Sequence, residues 1–264
     1  MEAEAGRSAR RVRPQTYLFF FALFAFIVFA GHLPHLDLPF YWDEAGYFIP
    51  AARDLHLGGQ WVPRSATPNV HPPGVMLYLA GAWSLFGYSI PVTRAAMLVV
   101  TAAAALVVFL LAIQLCRGLK GVPAMWAALL VLLSPVVYTQ GMLAQLDLPA
   151  MLLTAWALLC FLQQRCLAAA LISTALVLVK EIGVVTPAVL AVWLWREGRR
   201  REALYFLLPL CALSGWLAAL TATTGHPLGH REFAEFNVLY PLHPVRAGTA
   251  LLRRAYYLLV ANFH

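Results

Sequence analysis

The chain has 264 residues, 61% of them apolar and only 12% charged, with a mean hydropathy of +0.72. Soluble domains carry about 45–50% apolar and about 25% charged residues. The composition therefore excludes a soluble globular enzyme, a disordered chain and a disulfide-stapled secreted mini-protein. In so apolar a chain the net charge of +7 points to basic cytoplasmic loops, not to nucleic acid. The class that is left is an all-α, polytopic membrane protein. Its four cysteines, Cys116, Cys160, Cys166 and Cys211, lie in or beside apolar runs without paired spacing and read as small buried hydrophobes.

A hydrocarbon core of about 30 Å takes roughly 20 helical residues to cross. Residues 1–15 form a basic tail holding Arg7, Arg10, Arg11 and Arg13, ahead of the apolar run Thr16–Leu33. Ala30-Gly31 would suit signal cleavage, but the long Phe-rich run and the spans after it favour a retained helix with its N-terminus in the cytoplasm. Spans are predicted at 16–33, 95–116, 122–140, 147–164, 166–180, 182–196 and 203–223. Alternating them puts Arg117 with Lys120, then Arg165, then Arg196–Arg201 on the N-terminal side, while Gln140–Gln145 and Lys180–Glu181 face out. The expectation is seven spans in a core over 16–225, N-terminus in and C-terminus out.

The first external loop covers 34–94, and its apolar run 75–89 is too short to cross upright, so an interfacial helix is expected there. A single helix through 166–195 would export the Arg196–Arg201 cluster. Two short spans meeting at Lys180–Glu181 avoid that, with Gly183 and Pro187 weakening the helix nearby. Residues 226–264 are expected outside, with Tyr256–Val260 reading as the start of a further helix.

On this topology every histidine and most carboxylates lie outside, as ordinary solvated loop groups also would. No His or Asp set has the spacing of a zinc site, His226-x3-His230 being the nearest approach. Four places hold charge against apolar sequence. Trp42-Asp43-Glu44, with Tyr47 after it, sets two carboxylates in an aromatic belt; on a helix they diverge by about 100° and so take different jobs. His71 opens the turn His71-Pro72-Pro73-Gly74 ahead of the interfacial helix. Asp147 heads a span, where an N-cap would explain it. Lys180-Glu181 either neutralises itself or offers Lys180 as a point charge for a lipid phosphate.

These pieces, in this order over Thr16–Leu220, resemble the GT-C glycosyltransferases that use polyprenyl-phosphate sugars, in the protein O-mannosyltransferase and lipid A aminoarabinose transferase group. Trp42-Asp43-Glu44-Ala45 resembles the acidic motif of that group's first external loop. His71-Pro72-Pro73-Gly74, with Leu85-Phe86-Gly87 and then Arg94, is similar to its Lys/His-Pro-Pro segment, although the aminoarabinose enzymes carry Lys where His71 stands. Leu146-Asp147-Leu148-Pro149 resembles its Thr-Asp-x-Pro, and Leu178-Val179-Lys180-Glu181 its Thr-Lys-Gly/Glu. Family members continue through further spans beyond the point where this sequence ends.

The resemblance implies a GT-C-like helical core in a bacterial-type plasma membrane, with its site facing outside. It implies transfer of a hexosyl or pentosyl group, with inversion, from a polyprenyl-phosphate donor to a hydroxyl of a glycolipid, lipid A or protein. Asp43 is then the base, Glu44 orients the acceptor or tunes Asp43, and Asp147 positions the acceptor or pairs with a cation. Lys180 holds the phosphate, with Arg94 and His71 as helpers and Glu181, Trp42 and Tyr47 lining the substrate. Some GT-C enzymes use a divalent cation, and one between Asp43 and Asp147 stays open. The competing class is a transporter or flippase, which intramembrane carboxylates would suit, although the charges gather at one face and no inverted repeat is evident. A non-catalytic scaffold is the third reading.

Overall fold

The computed structural model describes residues 14–117, 123–236, 240 and 242–261. Arg7, Arg10, Arg11, Arg13, Lys120 and His264 lie outside the described residues. Those described are mostly helical and contain no strand; one lone bridge pairs Asn69 with Gly229. Helix α1 spans Pro14–His32, α2 Ile49–Gly58, α3 Gly74–Phe86 and α4 Ile90–Leu115. Helices α5 (Met125–Leu133), α6 (Pro135–Gln140), α7 (Asp147–Leu162) and α8 (Cys166–Val179) follow. Next come α9 (Val185–Arg196), α10 (Arg200–Ala203), α11 (Leu207–Thr224), α12 (Arg231–Ala234) and α13 (Pro244–Tyr256). Among the described residues three helical stretches, Pro14–His35, Ile90–Leu115 and Arg200–Thr224, are long and apolar enough to cross a membrane.

Helix α4 begins before the expected start at 95. Ser89 caps it, its hydroxyl accepting from the Val92 amide at 3.3 Å, and Pro91 has its fixed φ where no amide is missed. Arg94, expected in the external loop, therefore sits in a helix. The expected span 122–140 is broken, because Pro135 removes a helical donor and Ser134 turns to extended backbone at ψ 123°. Glu181–Val184 forms a short tight turn before α9, and the interfacial run is a helix over Gly74–Phe86.

Packing divides into apolar clusters that hold these ends together. Phe24, Ala102, Ala105, Phe109 and Ala128 join α1, α4 and α5. Cys160, Cys166, Ala169, Leu190, Leu194 and Phe206 join α7, α8 and α9. A third cluster, Phe48, Ala52, Val75, Leu79, Trp83 and Met97, seats α2 and α3 on α4 and extends to Leu146 and Val179. All four cysteines are free. The Trp83 indole donates to Thr93 Oγ1 at 2.9 Å and the Tyr78 hydroxyl to the Ala96 carbonyl at 2.7 Å, so hydrogen bonds as well as apolar packing fix α3 to α4.

Two glycines set the walls of the region where helix ends converge. At Gly74 an added Cβ would stand 2.5 Å from the Leu178 carbonyl oxygen, so the first turn of α3 touches the end of α8 only because no side chain intervenes. At Gly229 φ is +87° and a Cβ would stand 2.5 Å from the Pro68 carbonyl, which lets 226–230 lie against the 68–70 strand-like segment. The Trp216 indole closes the same wall by donating to the Val70 carbonyl at 2.9 Å.

Gly74→Ala is expected to cost about 1–3 kcal/mol through forced separation of α3 from α8. Gly81→Ala, in the same helix with nothing within 4 Å of the new methyl, is the neutral control. Thermal unfolding of the detergent-solubilised variants measures the difference; equal stabilities would contradict the close approach.

Candidate functional site

The turn 38–48 is built by a buried carboxylate. Glu44 is 0% and Arg94 1% exposed, and they meet through Arg94 Nη1 to Oε1 at 2.5 Å and Nη2 to Oε2 at 3.1 Å. The remaining contacts of the pair are main-chain groups. Arg94 donates to the carbonyls of Leu38, Pro39 and Met142 at 3.2, 2.9 and 3.0 Å. Glu44 accepts from the amides of Tyr41 and Ala144 at 3.2 and 2.5 Å. The guanidinium also lies over the Phe40 ring at 5.3 Å. Three segments distant in sequence are thus tied at one point: the turn 38–48, α4, and the strap 142–144 that leads into α7.

The next residue back points the other way. Trp42 has φ 53°, in the left-handed region where a bulky residue is strained by about 1–3 kcal/mol. The reversal is closed by Glu44 and Gly46 amides donating to the Tyr41 and Trp42 carbonyls at 3.1 and 2.9 Å. It sends Glu44 inward and leaves Trp42 71% exposed, with Asp43 also exposed. The widened turn of helix over Glu44–Phe48 then delivers Tyr47 and Phe48 to His71, with ring centroids at 6.5 and 6.2 Å.

His71 is set by Asn69, which is buried and whose Oδ1 accepts from the His71 amide at 3.0 Å. Its Nδ1 stands 2.9 Å from Glu181 Oε2, both side chains about a quarter exposed. Burial raises the Glu181 carboxyl, but the hydrogen bond and charge of His71, with lesser help from Lys180, outweigh it and leave the group below its usual range. Burial, opposed by the Asn69 main chain and assisted by the Glu181 charge, holds the Tyr47 hydroxyl well above the usual tyrosine range, so Tyr47 stays a neutral donor. Next to Glu181, Lys180 Nζ donates to Asp147 Oδ1 at 2.5 Å, with Lys180 26% and Asp147 63% exposed.

These contacts close a circuit. Asp43 adjoins Glu44, Glu44 holds Ala144 three residues before Asp147, Asp147 meets Lys180, Glu181 meets His71, and His71 packs on Tyr47. A groove of about 670 Å³ opens beside the turn, lined by Phe40, Ala45, Arg53, Gln60, Ser65 and Tyr88. One of its walls is steadied by Asp54, whose carboxylate accepts from the Arg64 and Ser65 amides at 2.6 and 2.7 Å.

Several sequence expectations change here. Glu44 does not face an acceptor, and Arg94 does not face a phosphate, because each is sealed against the other. Asp147 is not an N-cap: it is the first residue of α7, and its side chain goes to Lys180. Lys180 and Glu181 do not neutralise each other, since each has a partner on another segment. Among the described residues no three His, Cys, Asp or Glu side chains cluster to hold a metal. One Asp147 oxygen is on the Lys180 ammonium, and no step below uses a divalent cation. Asn69 sets His71 locally, from the same segment that stands out in the sequence, whereas Trp216 and Gly229 complete the His71 wall through contacts too long-range to read from it.

No family model matches the chain, and no curated protein matches it. Among solved structures it is similar to the crystal structure of ArnT from Cupriavidus metallidurans bound to undecaprenyl phosphate, with a TM-score of 0.60 at 20% identity. The likeness covers 81% of this chain and 43% of that one, so this chain spans less than half the length of that relative. A helical membrane fold is what the two share.

Removing one partner of the sealed pair leaves the other as an uncompensated buried charge, so Arg94→Met is expected to cost about 3–5 kcal/mol. The double variant Glu44→Gln/Arg94→Met should recover a large part of that loss. Thermal unfolding of the two proteins measures it, and additive losses would argue against the coupling.

Proposed function

We propose that the chain forms the core of a membrane glycosyltransferase that takes a sugar from a polyprenyl-phosphate donor and passes it to an acceptor hydroxyl on the extracytoplasmic face. The observation that carries this reading is the circuit of the preceding section. An exposed carboxylate, a lysine and a histidine on separate segments are linked through Glu44, Asp147 and Glu181, on a fold shared with a protein whose structure contains undecaprenyl phosphate. The seven-span topology, with the N-terminus inside and the site outside, belongs to this proposal. So does the placement in a bacterial-type inner membrane.

The chemistry follows from which groups are free to act. Asp43 takes the proton of the acceptor hydroxyl as its oxygen attacks the anomeric carbon. The bond from that carbon to the phosphate oxygen breaks from the opposite face, and the configuration inverts. The charge that develops on the leaving polyprenyl phosphate is met by Lys180, which exchanges Asp147 for the phosphate, and by His71 beside it. Asp147 returns as the ammonium's partner once the lipid leaves. Glu181 holds His71 in place, and Tyr47 and Trp42 line the approach. Glu44 and Arg94 are positioning residues: they aim the turn that carries Asp43 and touch no substrate. The polyprenyl chain lies along apolar helix faces, where each buried methylene contributes about 0.8 kcal/mol. The groove beside the turn, with Arg53, Gln60 and Ser65 alongside Phe40 and Tyr88, suits a glycolipid or protein acceptor.

In membranes carrying the protein, Asp43→Asn should lower sugar transfer from polyprenyl-phosphate donor by about 10²-fold or more, the range of a lost general base. Lys180→Ala should raise donor KM by an order of magnitude or more through loss of a charge-assisted contact. Near wild-type turnover of Asp43→Asn would overturn the base assignment, and an unchanged KM the phosphate contact. Uptake into sealed vesicles without transfer would favour a transporter instead.

A further inference from the structure

Helix α13 is built unlike the helices of the core. No residue of Pro244–Tyr256 is buried, and Val245, Leu251, Leu252 and Tyr256 are 67%, 69%, 73% and 56% exposed. At about 100° per residue, Leu251, Ala255, Gly248, Leu252, Val245 and Tyr256 fall on one arc of roughly 140°. Arg253 and Arg246 lie past the Tyr256 border of that arc and Arg254 past the Leu251 border. The helix holds no acidic residue. The apolar arc is therefore flanked by cations on both edges, and aromatic rings attend them: Arg246 lies 3.5 Å from the Tyr240 centroid and Arg253 5.5 Å from that of Tyr257.

From this pattern we infer that α13 lies flat on the bilayer surface, with its apolar arc among the acyl chains and its arginines on anionic lipid headgroups. A helix entering from the side sinks an apolar face only a few ångströms, while long cationic side chains at its borders reach back to the headgroups. Tyrosine at the same depth keeps its hydroxyl in the headgroup region and its ring in the apolar one. Charge selects the partner. A protein groove for this face would have to supply carboxylates at both borders, whereas a surface of phosphatidylglycerol supplies anionic phosphates everywhere. The inference is independent of the catalytic reading, since it needs only that the core is in a membrane.

The test uses the full chain, with Cys116, Cys160, Cys166 and Cys211 replaced by Ala and one nitroxide at Leu252→Cys or at Arg253→Cys. The protein is reconstituted in vesicles of phosphatidylethanolamine with or without phosphatidylglycerol. With the anionic lipid, the label at 252 should collide several-fold more with oxygen than with an aqueous nickel chelate, and the label at 253 should show the reverse. Arg246→Gln/Arg254→Gln should shift the 252 label toward water in the anionic vesicles and leave it unchanged in the others. Equal nickel access at both positions would mean that the helix stands in solvent. Shielding of both positions from both reagents would mean that protein covers it, another segment or a second copy. Either result overturns the inference.

Discussion

A single buried charge pair governs the geometry of the region where the helix ends converge. Taking a guanidinium and a carboxylate out of water is costly, and the mutual attraction of Glu44 and Arg94 offsets that cost only because nearly every remaining donor and acceptor is also satisfied. Those satisfying groups are main-chain atoms of 38–41 and 142–144, so the pair cannot form without fixing the path of both segments. The fixed path forces Trp42 into the left-handed region and turns Asp43 outward. It also sets where α7 begins, and therefore where Asp147 stands. A stable pair thus positions Asp43, the proposed base, without touching it.

Around that anchor the mobile charges are arranged differently. Lys180–Asp147 and His71–Glu181 are partly exposed pairs, and pairs of that kind are worth little to stability because water screens them. Weak pairing suits exchange. A phosphate dianion outcompetes one exposed carboxylate for an ammonium, and the carboxylate left over is well solvated when displaced. The strong pair is sealed and structural, while the weak ones are open to ligand.

Much of this was legible in the sequence because it is local. Apolar runs announce helices, and the positions of Asp43, His71, Asp147 and Lys180 stand out as charge against apolar neighbours. That adjacent carboxylates would diverge follows from helical geometry. Which of the two would turn inward does not, because Glu44's partner is 50 residues away and the partner's helix starts earlier than hydropathy suggests. Asp147 read as an N-cap for the same reason, since its lysine lies 33 residues on. The break at Ser134–Pro135 falls inside a run whose composition alone reads as one helix. Gly74 is visible as a turn residue, but its contact with the α8 carbonyl exists only once the helices are packed.

In the proposed reaction Lys180 and His71 bind the phosphate of a polyprenyl lipid. Native mass spectrometry of the purified chain with undecaprenyl phosphate tests it most directly, with undecaprenol as the uncharged control. The account predicts one retained lipid phosphate per chain, little retention of undecaprenol, and loss of at least ten-fold in occupancy for His71→Gln/Lys180→Gln. Equal retention of the alcohol and the phosphate, or undiminished binding by the double variant, would contradict it.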